Sequence, residues 1–354
     1  DAATCDTNTA FDPNHCGSCG NACASDEICH SGACASVEHL TAGAEFACVG
    51  LRWEGLPDEI VCWGRNDAGQ IGPGGDDLDV APGGRMVERP DGLTDNHELV
   101  DLAAGGKHVC AMWIDWSSDS PDVRLHCWGD NSRRQLGPCD TSRTSAVHAI
   151  ENVDLGDRSQ QDQFQVAAGA GHSCISLGTP AGASTQFRCW GANDLGQADF
   201  FDEDGQDICA IDRRLELAAS DVSTLDAGGD MTCLSDTGRE MYCWGGDPES
   251  LGQEPFAEPS QPLRRDVSST LRVRAISVGA QVICFVDEDS RMGCFGIDLS
   301  NVDTTRSLSE ATIPFNDDQN GGAPTYADVE ASLADYGCGI TTDGQIRCWG
   351  GAGD

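Results

Sequence analysis

Twenty cysteines, eight histidines and 59 acidic residues are the groups in this 354-residue chain that could carry chemistry. Six of the cysteines crowd into residues 1–36: Cys5, Cys16, Cys19, Cys23, Cys29 and Cys34, spaced by Gly, Asn, Ser and Asp. Cys16-x-x-Cys19 has the spacing of a zinc ligand pair, with His15 and His30 nearby. A second such pair is missing, however, and a segment this poor in apolar residues cannot bury a core. Three disulfides are therefore the expectation, and the sequence does not choose among their pairings. Three acidic stretches could hold a hard cation: Asp76-Asp77-Leu78-Asp79, Asp202-Glu203-Asp204-Gly205-Gln206-Asp207 and Asp317-Asp318. In the second, Asp202, Asp204 and Asp207 alternate around a Gly as short calcium loops do, but the full EF-hand pattern and its terminal Glu are absent. A solvated loop is the simpler reading, a structural calcium the alternative, and no other cofactor is expected. No nucleophile elbow, metalloprotease helix or phosphate loop is present, so no catalytic residue is assigned. His108 and His172 stand at a repeat position filled elsewhere by Phe46, Met231, Val282 and Tyr336, which marks them as packed strand residues.

The elements that position these groups follow from an internal repeat. Cys-Trp-Gly occurs at 62–64, 127–129, 189–191, 243–245 and 348–350, and as Cys294-Phe295-Gly296. The spacing is too long for a helical-pair solenoid and suits a propeller blade of short strands with their loops. Each repeat opens with an apolar strand that ends near Gly: Gly43, Gly105, Gly169, Gly228 and Gly279. A second strand then carries Cys48, Cys110, Cys174, Cys233 or Cys284, and a third carries the Cys of Cys-Trp-Gly. The last repeat slips at Ala331-Ser332 but keeps Cys338 and Cys348.

Cys233–Cys243, Cys284–Cys294 and Cys338–Cys348 are symmetric about turn-rich runs, which places each couple directly opposite in a hairpin. Such pairs come close enough for a disulfide. One cross-strand disulfide per blade is expected, adding Cys48–Cys62, Cys110–Cys127 and Cys174–Cys189. The remaining Cys139 and Cys209 are paired across neighbouring blades. Alternation puts each Trp on the face opposite the preceding Cys, where it should pack against the next blade as core, with Gly letting strands approach.

Composition bounds the partners. With 21 basic residues, of which only Lys107 is a lysine, the formal net charge is −38. This charge repels phosphate backbones and anionic membranes, and its plainest consequence is solubility. It is also compatible with cations or a basic protein. Abundant paired cysteines point to an oxidising compartment: secreted, cell-surface or periplasmic. No apolar run is long enough for a membrane span, and Asp1 is read as following a removed leader.

Gly105-Gly106-Lys107-His108-Val109-Cys110 with Cys127-Trp128-Gly129-Asp130-Asn131…Gln135-Leu136-Gly137 resembles the regulator-of-chromosome-condensation repeat. So does Gly169-Ala170-Gly171-His172-Ser173-Cys174 with Cys189-Trp190-Gly191-Ala192-Asn193…Gly196-Gln197. The resemblance implies an all-β fold over 37–354: a β-propeller of four-stranded antiparallel blades. Six blades are visible, where the family more often has seven, and the match decays in blades five and six. Residues 1–36 form a separate disulfide-rich module that resembles one common at the start of exported myxobacterial proteins. The final blade lacks a fourth strand, and the N-terminal region near 30–37 is expected to close the ring against it, since an open edge invites aggregation.

The long hairpins of blades one to three carry Trp53, Leu56, Trp113 and Trp116, whereas blades four to six have minimal turns. These connections open on one side of a propeller, where they would build an apolar patch. The expected function is an exported, non-enzymatic scaffold that binds a protein or cell-surface component there. The alternatives are a carbohydrate-binding or hydrolytic propeller with acids at its channel, and a structural subunit of an extracellular assembly.

Overall fold

The computed structural model describes residues 8–24, 27–53, 55–72, 78–79, 84–118, 121–137, 145–149, 164–177, 186–198, 206–209, 222–236, 238–246, 272–280, 282–296, 325–331, 336–343 and 345–350. Every regular element among them is a strand, and every pairing is antiparallel. Blade one contains β1 (Glu27–His30), β2 (Ala33–Ala42), β3 (Phe46–Arg52), β4 (Glu59–Arg65) and the short β5 (Leu78–Asp79) and β6 (Arg85–Met86). Blade two is β7 (His97–Ala104), β8 (His108–Asp115), β9 (Asp122–Gly129) and β10 (Ser145–Ala149). Within the described residues blades three to six have three strands each. They are β11 (Gln165–Ala168), β12 (His172–Leu177) and β13 (Gln186–Gly191); β14 (Val222–Gly228), β15 (Met231–Asp236) and β16 (Met241–Gly245); β17 (Val273–Val278), β18 (Val282–Asp287) and β19 (Met292–Gly296); and β20 (Tyr326–Ala331), β21 (Tyr336–Thr341) and β22 (Ile346–Gly350).

Short runs of Val, Ile, Leu, Met and Cys between polar turns make these strands. The tight hairpins of blades four to six are each locked by a side chain: Asp236 Oδ1 accepts from Glu240 N at 2.9 Å, Asp287 Oδ1 from Arg291 N at 2.8 Å, and Thr341 Oγ1 from Gln345 N at 2.9 Å. The cysteine register is as the spacing predicts. Cys48 faces Cys62, Cys110 faces Cys127, Cys174 faces Cys189, Cys233 faces Cys243, Cys284 faces Cys294 and Cys338 faces Cys348. The first five couples are disulfides with Cα atoms 4.1 Å apart, and Cys338 is also disulfide-bonded. Cys209 is disulfide-bonded as well, while its expected partner Cys139 lies outside the described residues. In the N-terminal segment the disulfides are Cys16–Cys29 and Cys23–Cys34, with Cys19 also bonded and Cys5 outside the described residues.

Two expectations about blade contacts need correction. The indoles turn toward the preceding blade, not the next: Trp128 Nε1 donates to Gln70 O (2.9 Å), Trp190 Nε1 to Gln135 O (2.7 Å) and Trp244 Nε1 to Gln197 O (3.0 Å). Alternation fixes the face of a strand that a side chain occupies, but not which neighbour stands there. Trp63, with no such partner among the described residues, is 40% exposed and is not core. The expected closure is also missing among the described residues. Residues 33–42 are the inner strand of blade one, paired with β1 and β3, and no N-terminal strand pairs with β20, β21 or β22. The reason is the continuity of β2: Ser36 and Val37 pair with Arg52 and Leu51, so the cysteine-rich segment extends the first blade through residue 36.

Candidate functional site

Two regions collect side chains that could do chemistry or binding: the channel between the inner strands and the hairpin side of the disc. Most of the motif residues are consumed by the scaffold. After each Cys-Trp-Gly the chain turns sharply. Gly129 sits at φ 104°, and a Cβ there would lie 2.8 Å from His108 Cα, so the glycine is a requirement of close strand approach. The next turn is tied by Asn131 Oδ1, which accepts from Leu136 N (3.0 Å), and by Gln135 Oε1, which accepts from Arg133 N (2.8 Å). Asn66 with Gln70 and Asn193 with Gln197 repeat the arrangement. The turn presents the Gln main-chain carbonyl to the following blade, where the Trp indole binds it.

Two of these carbonyls take a second bond, and this explains the histidines. Ser173 Oγ donates to Gln135 O (3.0 Å) and lies 2.9 Å from His108 Nε2; Thr232 Oγ1 donates to Gln197 O (3.1 Å) and lies 2.8 Å from His172 Nε2. A hydroxyl that has given its proton to a carbonyl can only accept from the ring, so Nε2 carries the proton in both histidines. Burial then holds both rings neutral, with pKa about 4 for His108 and about 3 for His172. These are inter-blade pins.

The inner strands β2, β7, β11, β14, β17 and β20 surround a channel of about 310 Å³. Their channel-side main-chain N–H groups are capped by side chains of the preceding blade. Thr41 Oγ1 accepts from Ala104 N (2.9 Å), Asp101 Oδ2 from Val166 N (2.7 Å), Gln165 Oε1 from Leu225 N (2.6 Å), Asp226 Oδ2 from Val278 N (2.7 Å) and Ser277 Oγ from Ala331 N (2.8 Å). Five joints thus each carry one cap, drawn from two registers of the strand. The sequence reading passed over these residues, although their positions two or four residues before the strand-ending Gly could have been aligned across the repeats. Confinement among the strands raises the carboxyls: Asp226 to about 7 and Glu330 to about 8, with Asp101 also raised. For Asp226, N–H bonds from Val278 and Ala227 oppose the burial, and for Glu330 the neighbouring Asp226 and Asp328 charges add to it.

The hairpin side differs from the patch read from sequence. Trp53 is buried against Val49, Leu51 and Val61 and near the His30 ring (6.2 Å), so the N-terminal segment covers it. Trp113 is buried under the Arg89 guanidinium, 4.8 Å from the ring centroid. Trp116 packs on Phe164 at 5.9 Å. Of the four residues only Leu56, 63% exposed, faces solvent. The indoles fold inward because each finds apolar or cationic cover, and they act as anchors of their own loops.

Of the calcium candidates, Asp207 takes the Arg133 guanidinium (Nη2 to Oδ1 2.9 Å), which occupies the carboxylate; Asp202, Asp204 and Asp317-Asp318 lie outside the described residues. Among the described residues, the one His/Cys/Asp/Glu cluster of metal-ligand size is Cys16, Cys23 and Cys34, whose sulfurs are all in disulfides. His15, beside them, accepts from Gly20 N through Nδ1 (2.9 Å).

No protein-family model matches the chain. Its structure superposes on human WBSCR16 with a TM-score of 0.68 and 17% identity, covering 89% of this chain and 76% of that one. The fold is that of the RCC1-like β-propellers. Prp20p of Saccharomyces cerevisiae, whose structure was described with its binding to Gsp1p and histones, matches with a TM-score of 0.60 and 15% identity, over 90% of this chain and 69% of that one. In sequence, the human E3 ubiquitin-protein ligase HERC2 is 24% identical over 257 residues, which is 70% of this chain but 5% of HERC2. This RCC1-like propeller thus spans a small part of that relative. No helix among the described residues is long and apolar enough to cross a membrane.

Proposed function

We propose that this chain is an exported, non-enzymatic scaffold that binds a protein or cell-surface component through the loops on the hairpin side of the disc. The observation that carries this reading is the division of labour within the repeat. The motif residues Asn, Gln, Trp, His, Ser and Thr are spent on turn and inter-blade bonds, whereas the connections after β3 and β8 are long and anchored by buried Trp53 and Trp113 and half-buried Trp116. A loop stiffened by its own indole loses little entropy on binding, and Leu56 stands at its exposed tip. Disulfides throughout the chain agree with an oxidising compartment. Prp20p, of the same fold, is a protein binder.

The test is affinity purification from the culture supernatant and envelope of the producing cell, with the full chain and with Leu56→Asp. The partner recovered by the full chain should fall by roughly tenfold with the variant, about 1.4 kcal/mol. Equal recovery would remove the hairpin side from the binding surface. A second reading, a carbohydrate-binding or hydrolytic propeller, draws on the channel carboxyls Asp226 and Glu330, which keep protons near neutral pH. It requires glycan-array binding or turnover that Asp226→Asn abolishes.

A further inference from the structure

Each blade has an indole side and a cystine side, and five joints show how the two meet. On the indole side, Leu102, Val166, Leu225, Ile276 and Val329 occupy one inner-strand register and are all buried; Leu40, in the same register of blade one, is 71% exposed. Trp63 shares that side, and among the described residues its indole has no hydrogen-bond partner, unlike Trp128, Trp190 and Trp244. On the cystine side, Met112, Ser176, Ser235 and Val286 occupy one second-strand register and are buried; Ile340, their counterpart in blade six, is 45% exposed. Inner strands of successive blades pack together from β2 to β20, but among the described residues no comparable packing joins β20 to β2. Both open sides border the same channel, which Leu40, Thr41, Ala42 and Asp328–Ala331 all line.

The polar groups left over specify what would cover these sides. Asp101 accepts its own neighbour's N–H through Oδ1 (Leu102 N, 2.9 Å) and the next inner strand's N–H through Oδ2. Asp328, in the register of Asp101, accepts from Val329 N through Oδ1 (2.9 Å), yet among the described residues no strand N–H reaches its other oxygen. Glu330 stands in the register of Thr41, Asp226 and Ser277, which cap the following blade, and among the described residues its one hydrogen bond is to Ser277 behind it (3.5 Å). The β20 side therefore calls for main-chain donors, and the Trp63 indole calls for a main-chain carbonyl. Extended polypeptide supplies both. Asp328 has no ion-pair partner among the described residues, and a cation set beside Glu330 would draw off the proton that burial and the neighbouring carboxylates hold there, so the sign of the missing charge is positive.

We propose that the indole side of blade one and the cystine side of blade six together form a docking site for an extended, basic segment of a partner protein, which adds to the propeller as a strand. Its apolar side chains would lie on Leu40, Trp63 and Ile340, and its Lys or Arg on Asp328 and Glu330. This site is separate from the loops around Leu56, so the two stand or fall independently.

The probe is a short synthetic peptide alternating valine and lysine, with a valine–glutamate peptide as its counterpart. Binding is read as protection of Trp63 from acrylamide quenching, isolated by comparison with Trp63→Phe. The lysine peptide should bind roughly tenfold tighter than the glutamate peptide, and Asp328→Asn with Glu330→Gln should erase that preference. Equal binding of the two peptides, or no protection by either, would overturn the proposal. A photo-crosslinking residue in place of Leu40, whose exposure makes the change harmless to folding, then identifies the occupant in the producing cell. A basic segment of another protein supports the proposal. Capture of this chain's own residues, of a second copy, or of nothing overturns it, whatever a crosslinker in place of Leu56 recovers.

Discussion

A single main-chain carbonyl, that of Gln135, receives Trp190 Nε1 and the Ser173 hydroxyl, which in turn holds His108 in one tautomer. The value of each group depends on whether its neighbour is present. Trp190→Phe removes a buried donor and a ring's worth of packing, so it should cost about 2 kcal/mol. Trp63→Phe touches the same motif position in blade one, where the indole is exposed and has no hydrogen-bond partner among the described residues, and should stay within about 0.5 kcal/mol. Guanidinium denaturation with the disulfides intact measures both, and equal losses would show that Trp63 is packed in solution. Ser173→Ala strands the His108 Nε2–H in a dry site, with an expected cost of about 2 kcal/mol on the same scale.

At the level of elements, the hairpins were the most legible part of the sequence, for a physical reason. A pair of cysteines symmetric about a turn must face each other in an antiparallel ladder, so Cys233–Cys243 and Cys284–Cys294 could be read from number alone. The side on which a Trp lies was equally readable, but the blade it meets was not, because periodicity carries no information about neighbours. Trp53 was misjudged as exposed since its cover, the His30 region, comes from a segment read as a separate module. The channel carboxyls went unseen because Asp226 and Glu330 stand in the register of Thr41 and Ser277, and a position that holds Thr, Asp, Ser and Glu in different blades has no residue type to mark it. The staples permit a direct test. Replacing Cys284 and Cys294 by Ala releases a loop of sequence separation 10 and should lower stability by about 3 kcal/mol in the chain-entropy view. Thermal unfolding should then show blade five yielding first, detected as proteolysis between β17 and β19 well below the midpoint of the parent chain.

Across the whole molecule, the channel couples blades two, four and six through Asp101, Asp226, Asp328 and Glu330, with His39 Nδ1 3.8 Å from Asp101. A chain with formal net charge −38 is expected to be strained by its own repulsion, and these carboxyls add a specific pH response. In the folded state Asp226 and Glu330 titrate at about 7 and about 8, above their ordinary values of 3.8 and 4.5. Between those limits the folded chain binds more protons than the unfolded chain, so stability rises as pH falls. The gain is complete below the unfolded-state values and disappears as pH climbs through 7 to 8. The unfolding midpoint should therefore increase on acidification from pH 9 to pH 5, opposite in sign to a protein held by ion-paired carboxylates. Asp226→Asn with Glu330→Gln keeps the shapes and the acceptor for Val278 N but removes the protons, so the pH profile should flatten while the midpoint at pH 9 rises. A double variant whose profile keeps the slope of the parent would place the titration elsewhere in the chain and separate the channel from the pH response.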